Sequence, residues 1–354
     1  MPQSRTRLGV SAAVLALAAA SLAACGANDD SSSSGTMKIA LLLPETQTTR
    51  YEAFDRPLFE AEVSKMCGDD CEVTYLNADQ DENKQQQQVD TAINDGVSVI
   101  VLDPVNGASA SALVADAQDA DIPVIAYDRF IEGADYYMSF DNEKVGELQG
   151  QALVDATNNT GDILMLNGDP DDPNAGQFKE GAHKILDASG LTIVGEYDNP
   201  DWSPGNAQQY VTTQLSKRDP SSLAGVYAAN DGQAGGVIAA LTGAGLTSGN
   251  LPPITGQDAQ LANIQDIVAG DQYMTVYKPI PVEANKAADL AVQLAKGEDI
   301  SGTTMFQDVP SYIFTPVVVT KDNIGDTVVA DGFYSVDDIC TAKYADACTA
   351  AGLS

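Results

Sequence analysis

The sequence predicts an α/β protein made of two doubly wound lobes, each built on one parallel sheet. Short apolar runs rich in Val, Ile and Leu alternate with amphipathic segments from residue 38 onward, and the alternation restarts near residue 143. Continuous apolar runs are typical of parallel strands whose two faces are both covered by helices. About 318 residues follow the N-terminal segment, which is long enough for two lobes.

The order of these segments supports two successive α/β units. The predicted strands are 38–43, 72–77, 97–103, 123–128, 136–141, 162–168, 192–198, 223–230, 253–258 and 274–279. The helices predicted between them lie near 52–66, 83–95, 108–120, 143–157, 174–189, 205–217, 232–243 and 259–269. Helices between parallel strands imply right-handed crossovers.

The N-terminus has the features of an export signal. Arg5 and Arg7 precede an apolar run over 8–22, and Leu-Ala-Ala then leads to Cys25. This arrangement resembles the lipobox of bacterial lipoproteins, so we predict a signal peptide over 1–24 and lipidation of Cys25. A plain secretory signal and a membrane span are the alternatives, but the run is shorter than the roughly 18 residues that a span needs. Residues 25–36 lack large apolar side chains and are predicted to be a flexible tether.

Four further cysteines predict disulfide bonds in an exported chain. Sequence proximity favours Cys67 with Cys71 and Cys340 with Cys348. A zinc site is the alternative, but no histidine lies near either pair and the Cys-x3-Cys spacing is a poor zinc signature.

Charge and composition exclude several functions. The net charge of −33 at pH 7 argues against binding nucleic acid. The single histidine, His183, would have to serve any Ser-His-Asp triad, and it could supply only one histidine ligand to a zinc site. Residues 79–90 have EF-hand-like spacing, but Lys84 replaces the required glycine and Asp90 the final glutamate, so we predict no metal and no cofactor. Catalysis by paired carboxylates stays open, because 51 acidic residues offer many pairs.

Polar residues follow several of the predicted strands directly. They are Asp103, Asp128-Arg129, Asp141-Asn142, Asn230-Asp231, Gln257-Asp258 and Lys278. Open parallel sheets bind ligands at the carboxyl ends of their strands, so these groups predict one shared site. Carboxylates, amides and cations together suit a polyol, which needs both donors and acceptors. Trp202, in a loop, and Tyr51, beside Arg50, could stack on a sugar ring.

Several motifs resemble one known family across nearly the whole mature chain. The stretches "VIAYDRFIEGADYYMSFDNEKVGELQGQALV", "YAANDGQAGGVIAAL", "ITGQDAQ" and "TVYKPI" are similar to the sugar-binding subunits of bacterial ABC importers, the type I periplasmic binding proteins. The resemblance implies a three-segment hinge between the lobes. The implied N-terminal lobe comprises 37–141 with 282–312, and the C-terminal lobe comprises 142–281 with 313–354.

The resemblance also implies which residues bind sugar. They are Arg50, Tyr51, Asp128, Arg129, Asn142, Asn174, Trp202, Asp231, Asp258 and Lys278. Asp128 and Arg129 are expected to bind adjacent hydroxyls of a pentose and to neutralise each other's charge. The loop around Arg50 differs in length from the family pattern.

The implied function is capture of a monosaccharide and its delivery to ABC permease subunits, without catalysis. D-xylose is the first expectation, and glucose, galactose, arabinose and ribose stay open. We expect a monomer held at the outer face of the cell membrane by the lipid on Cys25. The alternative is a sugar or autoinducer sensor that feeds a chemotaxis or two-component receptor. A secreted glycan hydrolase is a weaker alternative, because the sequence has one histidine for catalysis and few aromatic residues for binding a glycan.

Overall fold

The computed structural model describes residues 36–353. The predicted signal peptide, the lipidation site at Cys25 and nearly all of the predicted tether lie outside the described residues. The strands are β1 Met37–Leu43, β2 Cys71–Asn77, β3 Val99–Leu102, β4 Val124–Tyr127, β5 Tyr136–Phe140, β6 Gly161–Asn167, β7 Leu191–Asp198, β8 Leu223–Ala228, β9 Met274–Tyr277, β10 Thr304–Phe306, β11 Val309–Phe314 and β12 Val317–Thr320.

The helices follow the predicted alternation closely. They are α1 Arg56–Cys67, α2 Glu82–Asn94, α3 Ala110–Asp119, α4 Asn142–Ala156, α5 Pro173–Leu186, α6 Pro204–Leu215, α7 Asp231–Gly243, α8 Leu261–Ala269, α9 Ile280–Ala295, α10 Val336–Ile339 and α11 Ala345–Ala350. A π-helical turn, Tyr51–Asp55, leads directly into α1. None of the helices within residues 36–353 combines the length and the apolar character that crossing a bilayer requires.

One sheet has seven strands in the order β10-β11-β5-β4-β3-β1-β2. The pairs from β11 to β2 are parallel, and only β10 runs antiparallel to its neighbour. Alternate side chains of β1 enter two different cores: Ala40 and Leu42 pack on one face, and Ile39 and Leu41 on the other. This two-sided burial explains the continuous apolar runs in the sequence.

The second group of strands is less regular than expected. Strands β7-β6-β8 form a parallel sheet, whereas β9 and β12 pair antiparallel, so the prediction of one parallel sheet per lobe was too simple. Residues 253–258 lie between these two sheets without forming a regular strand. Val226 N donates to Pro253 O at 2.9 Å, and Val276 N donates to Gly256 O at 2.9 Å. Pro253 has no N–H to donate, which limits regular pairing here.

Three connections link the two groups of strands, after Phe140, Tyr277 and Phe314. They lie side by side: Asp141 N donates to Phe314 O at 2.9 Å, and Tyr277 pairs with Val317. The seven-stranded sheet thus includes β10 and β11, which come late in the chain. The residue limits assigned to each lobe from the sequence stay a prediction.

Disulfide bonds join Cys67 to Cys71 and Cys340 to Cys348. The first pair connects the end of α1 to the start of β2. The second closes a short loop between α10 and α11, and Cys348 is buried in the core that includes Ile339. Both bridges lie on elements that support the strands and do not line the cavity described below.

Candidate functional site

A polar cavity lies where the carboxyl ends of the strands from both groups meet. The space between its atoms is about 270 Å³, part of it open to solvent. Its lining residues are Thr48, Arg50, Tyr51, Asp128, Arg129, Asp172, Asn174, Phe178, Trp202, Asn230, Gln257, Asp258 and Lys278. These residues follow strands β1, β4, β6, β7, β8 and β9 or lie at the end of the 253–258 segment. Ligand sites of open parallel sheets lie at such carboxyl ends of strands.

Asp128 presents a charged carboxylate to this cavity. Its backbone is left-handed, with φ of 56°, at the end of β4. The carboxylate accepts hydrogen bonds from Tyr51 Oη at 3.1 Å and from Arg50 Nη1 at 3.2 Å. Burial by itself would raise the pKa of this carboxyl, but the nearby positive charges, Arg50 foremost, outweigh it and lower the pKa from 3.8 to about 2. Asp128 is therefore an ionised acceptor at neutral pH.

Arg50 is held by three carboxylates. It makes a bidentate pair with Asp55, in which Nη2 lies 2.6 Å from Oδ1 and Nε lies 3.0 Å from Oδ2. Nη2 also lies 2.7 Å from Glu283 Oε2, at the start of α9. All of these side chains are buried. Because a planar guanidinium bound on three sides has little freedom, Arg50 presents a fixed donor edge to Asp128 and the cavity.

Arg129 forms its direct ion pairs with carboxylates other than Asp128, although its positive charge helps to lower the pKa of Asp128. Arg129 Nε lies 2.9 Å from Asp172 Oδ2 and 3.5 Å from Asp103 Oδ1. Its Nη1 donates to Pro104 O at 3.0 Å. Burial raises the pKa of Asp103 well above its usual range.

Trp202 forms an apolar wall of the cavity. Its indole Nε1 donates to Asp172 Oδ2 at 3.1 Å, and its ring lies edge-to-face with Phe178, with centroids 6.3 Å apart. The ring also covers Gly168, where an added Cβ would lie 2.0 Å from Cη2, so only glycine fits there. A flat apolar surface beside charged groups suits the C–H face of a sugar ring.

Several acceptors in the cavity lack partners among the described residues. Asn174 Nδ2 donates to the carbonyl oxygen of Asp128 at 3.0 Å, but Asn174 Oδ1 has no hydrogen-bond partner within residues 36–353. The same holds for Gln257 Oε1. Lys278 Nζ lies 2.8 Å from Asp258 Oδ1. Since buried acceptors are normally paired, the free ones point to a ligand that brings hydroxyl donors.

Metal chemistry has no support in the part of the chain that the structure describes. No group of three or more His, Cys, Asp or Glu side chains there has a geometry that could hold a metal ion. His183 lies on α5 and interacts with Asp187 and Glu196 instead of lining the cavity. The cavity therefore offers hydrogen bonds and an aromatic face.

Comparisons with known proteins identify the family. Residues 39–299 match the family model described as "Periplasmic binding protein domain". The chain is 40% identical over 313 residues to the D-xylose-binding periplasmic protein of Escherichia coli, covering 86% of this chain and 92% of the relative. The chain belongs to the periplasmic binding protein family. Its α/β fold class, predicted from the sequence, is confirmed by this match.

Two further comparisons are with proteins whose descriptions name a sugar. The D-xylose-binding periplasmic protein of Haemophilus influenzae is 39% identical over 319 residues, covering 87% of this chain and 94% of the relative. A solved structure of an ABC transporter solute-binding protein from Clostridium phytofermentans, with bound β-D-glucose, superposes with a TM-score of 0.76. It is 26% identical and covers 85% of this chain and 99% of its own.

The cavity of this periplasmic binding protein includes all of the sugar-site residues predicted from the sequence except Asn142 and Asp231. Asn142 begins α4, and its Nδ2 donates to Ser139 Oγ at 3.2 Å, beside the first connection. Asp231 is fully buried behind the cavity, and its neighbour Asn230 lines the cavity instead. Whether the lining residues contact sugar stays a prediction.

Sequence reasoning missed Thr48, Asp172 and Phe178 and left Asn230 and Gln257 unassigned. The strand-end pattern had already singled out Asn230 and Gln257, one position before the chosen residues. Asp172 had a usable signal, because it precedes Pro173 as the N-cap of α5 and accepts from Asn174 N at 2.8 Å. Thr48 and Phe178 carried no comparable signal.

Proposed function

We propose that this protein captures a monosaccharide, D-xylose first, outside the cytoplasm and delivers it to an ABC importer without changing it chemically. The observation that carries the proposal is the set of free buried acceptors, Asn174 Oδ1 and Gln257 Oε1, beside the ionised Asp128. Sugar hydroxyls would donate to these oxygens and accept from Arg50, Arg129 and Lys278. The names of the relatives from E. coli and H. influenzae support D-xylose.

Contacts across the cavity support capture by closure. Arg129 on the β4 side pairs with Asp172 on the β6 side, and Asn174 Nδ2 donates to the carbonyl oxygen of Asp128. Outside the cavity, Gln80 Nε2 donates to Asp169 Oδ2 at 3.0 Å. A sugar that binds both sides would favour this closed arrangement, by a hinge motion at the three connections.

A sugar panel tests the ligand. We expect one-to-one binding of D-xylose by calorimetry, about tenfold or more tighter than D-glucose, D-galactose, L-arabinose or D-ribose. Trp202 is the only tryptophan in the sequence, so its fluorescence reports occupation of the cavity directly. If none of these sugars gives heat or a fluorescence change, sugar capture is wrong. If another sugar binds best, only the choice of D-xylose fails.

We further propose that the mature chain is anchored to the outer face of the cell membrane through a lipid on Cys25. The Leu-Ala-Ala-Cys sequence after a short apolar run supports this. In a bacterial host fed labelled palmitate, the protein should carry label and sediment with membranes, and Cys25→Ala should lose both. An unlabelled wild-type protein released into solution would contradict the anchor.

A further inference from the structure

Asp231 is a buried carboxylate that lies behind the cavity. It is the first residue of α7 and is 0% exposed. Its Oδ1 accepts from Gln272 Nε2 at 2.8 Å. Its Oδ2 accepts from the backbone N–H of Gln260 at 2.9 Å and from Thr275 Oγ1 at 3.0 Å. Three donors from two segments, Gln260 and the stretch 272–275, therefore converge on one side chain.

One of these donors, Gln260 N, belongs to residues 256–260, which we name the 256–260 loop. The backbone N–H of Asp231 donates to Gln257 O at 3.0 Å, so Asp231 holds the loop through its main chain and its side chain. The loop passes so close that a Cβ on Gly256 would lie 2.0 Å from Asp231 Oδ1. Glycine is required at this approach because no side chain fits between the loop and the carboxylate.

The 256–260 loop carries Gln257 and Asp258 into the cavity. Its backbone is unfavourable without support, because Asp258 and Ala259 have φ of 87° and 48°. Such conformations persist only where the surroundings hold them. The contacts of Asp231 with Gln257 and Gln260 lie on either side of these two residues.

The chemistry of the partners selects a carboxylate. Every group that contacts the Asp231 oxygens is a donor, and no lysine or arginine within residues 36–353 forms an ion pair with it. An asparagine would turn its NH₂ group towards one of these donors and lose that bond. Gln272 could not rotate freely to compensate, because its Nε2 also donates to Met274 O and its Oε1 accepts from Asn263 Nδ2.

We propose that Asp231 is a positioning residue, which sets sugar affinity by holding the 256–260 loop so that Asp258 and Gln257 face the ligand. This inference rests on the proposed sugar-binding function. Asp231 does not line the cavity, so it acts through the loop and not by contact.

A double-mutant cycle tests the inference. Sugar affinity is measured by calorimetry for wild type, Asp231→Asn, Asp258→Asn and the double variant, with D-xylose as the probe. We expect Asp231→Asn to weaken binding about 10- to 100-fold, the effect of losing one or two of the hydrogen bonds that hold the loop. The double variant should lose less affinity than the two single losses combined, because part of the effect of Asp231 passes through Asp258 and only the part that passes through Gln257 remains. Asp322→Asn, an exposed change in the same part of the fold, should bind as wild type.

The remaining outcomes are distinct. Additive effects of the two substitutions, or unchanged affinity in Asp231→Asn, would overturn the inference. Failure of the wild type to bind sugar would overturn the proposed function itself. If Asp231→Asn does not fold, Thr275→Val keeps the Asp231 carboxyl and removes one of its donors, together with the hydroxyl oxygen that accepts from Ala259 N at 3.3 Å. It should weaken binding about 3- to 10-fold, and by a smaller factor once Asp258 is replaced. Equal losses of Thr275→Val with and without Asp258 would contradict positioning.

Discussion

Asp128→Asn is expected to weaken sugar binding by about 1000-fold or more, with the fold retained. Asparagine tolerates the left-handed backbone at this position, where φ is 56°, so the substitution changes the charge and not the conformation. It removes an ionised acceptor for sugar hydroxyls and leaves Arg50 and Lys278 with less compensation in a buried site. Polar sites that lose one matched hydroxyl partner discriminate by similar factors.

Calorimetry with D-xylose and thermal unfolding measure the two parts of this prediction. Asp119→Asn, an exposed aspartate on α3, is the matched control and should bind as wild type. An Asp128→Asn protein that binds D-xylose within about threefold of wild type would contradict the assignment of Asp128 to the site.

The charge of Asp128 also gives a pH dependence with a definite sign. Its pKa is about 2 in the folded protein, below the ordinary 3.8, so its ionised form stabilises the fold. This contribution is present above about pH 4 and is lost as the pH falls through about 2. The stability difference between wild type and Asp128→Asn, about 2 kcal/mol, should therefore shrink over that interval.

Arg50→Leu is expected to lower the free energy of unfolding by about 3–5 kcal/mol and to abolish sugar binding. The guanidinium compensates Asp55, Glu283 and Asp128 together, and all of these carboxylates are buried. Leucine fills much of the space but removes the cation that Asp55, Glu283 and Asp128 share. For a protein of this size the unfolding midpoint should fall by about 4–8 °C.

Two further variants separate charge from packing. In Arg50→Leu/Glu283→Gln one uncompensated acid is removed, so stability should recover in part while sugar binding stays absent. Arg56→Leu removes an arginine whose side chain is 40% exposed and that pairs with Glu52 and Glu60, and it should cost less than about 1 kcal/mol. If Arg50→Leu is no less stable than Arg56→Leu, the central role of Arg50 is wrong.

Much of the fold was predictable because its signals are local. The sequence of β1 is a continuous apolar run because Ile39 and Ala40 pack into hydrophobic cores on opposite faces of one sheet. The polar residues after β4 and β9 were predictable as a site because parallel topology brings strand ends together. Residues 253–258 were mistaken for a regular strand, because their hydrogen bonds depend on β8 and β9, which are distant in sequence.

The sequence by itself determined the α/β alternation, the family and the polar chemistry at the strand ends, because periodicity and residue type are properties of neighbouring positions. Only the tertiary structure decided which side chains share a space. It paired Arg129 with Asp172 instead of Asp128, and it placed Asn230 in the cavity and Asp231 behind it. Those outcomes depend on backbone turns and on partners from strands that are remote in sequence, such as Asp172 after β6 for Arg129 after β4, and residue order does not record which remote groups meet.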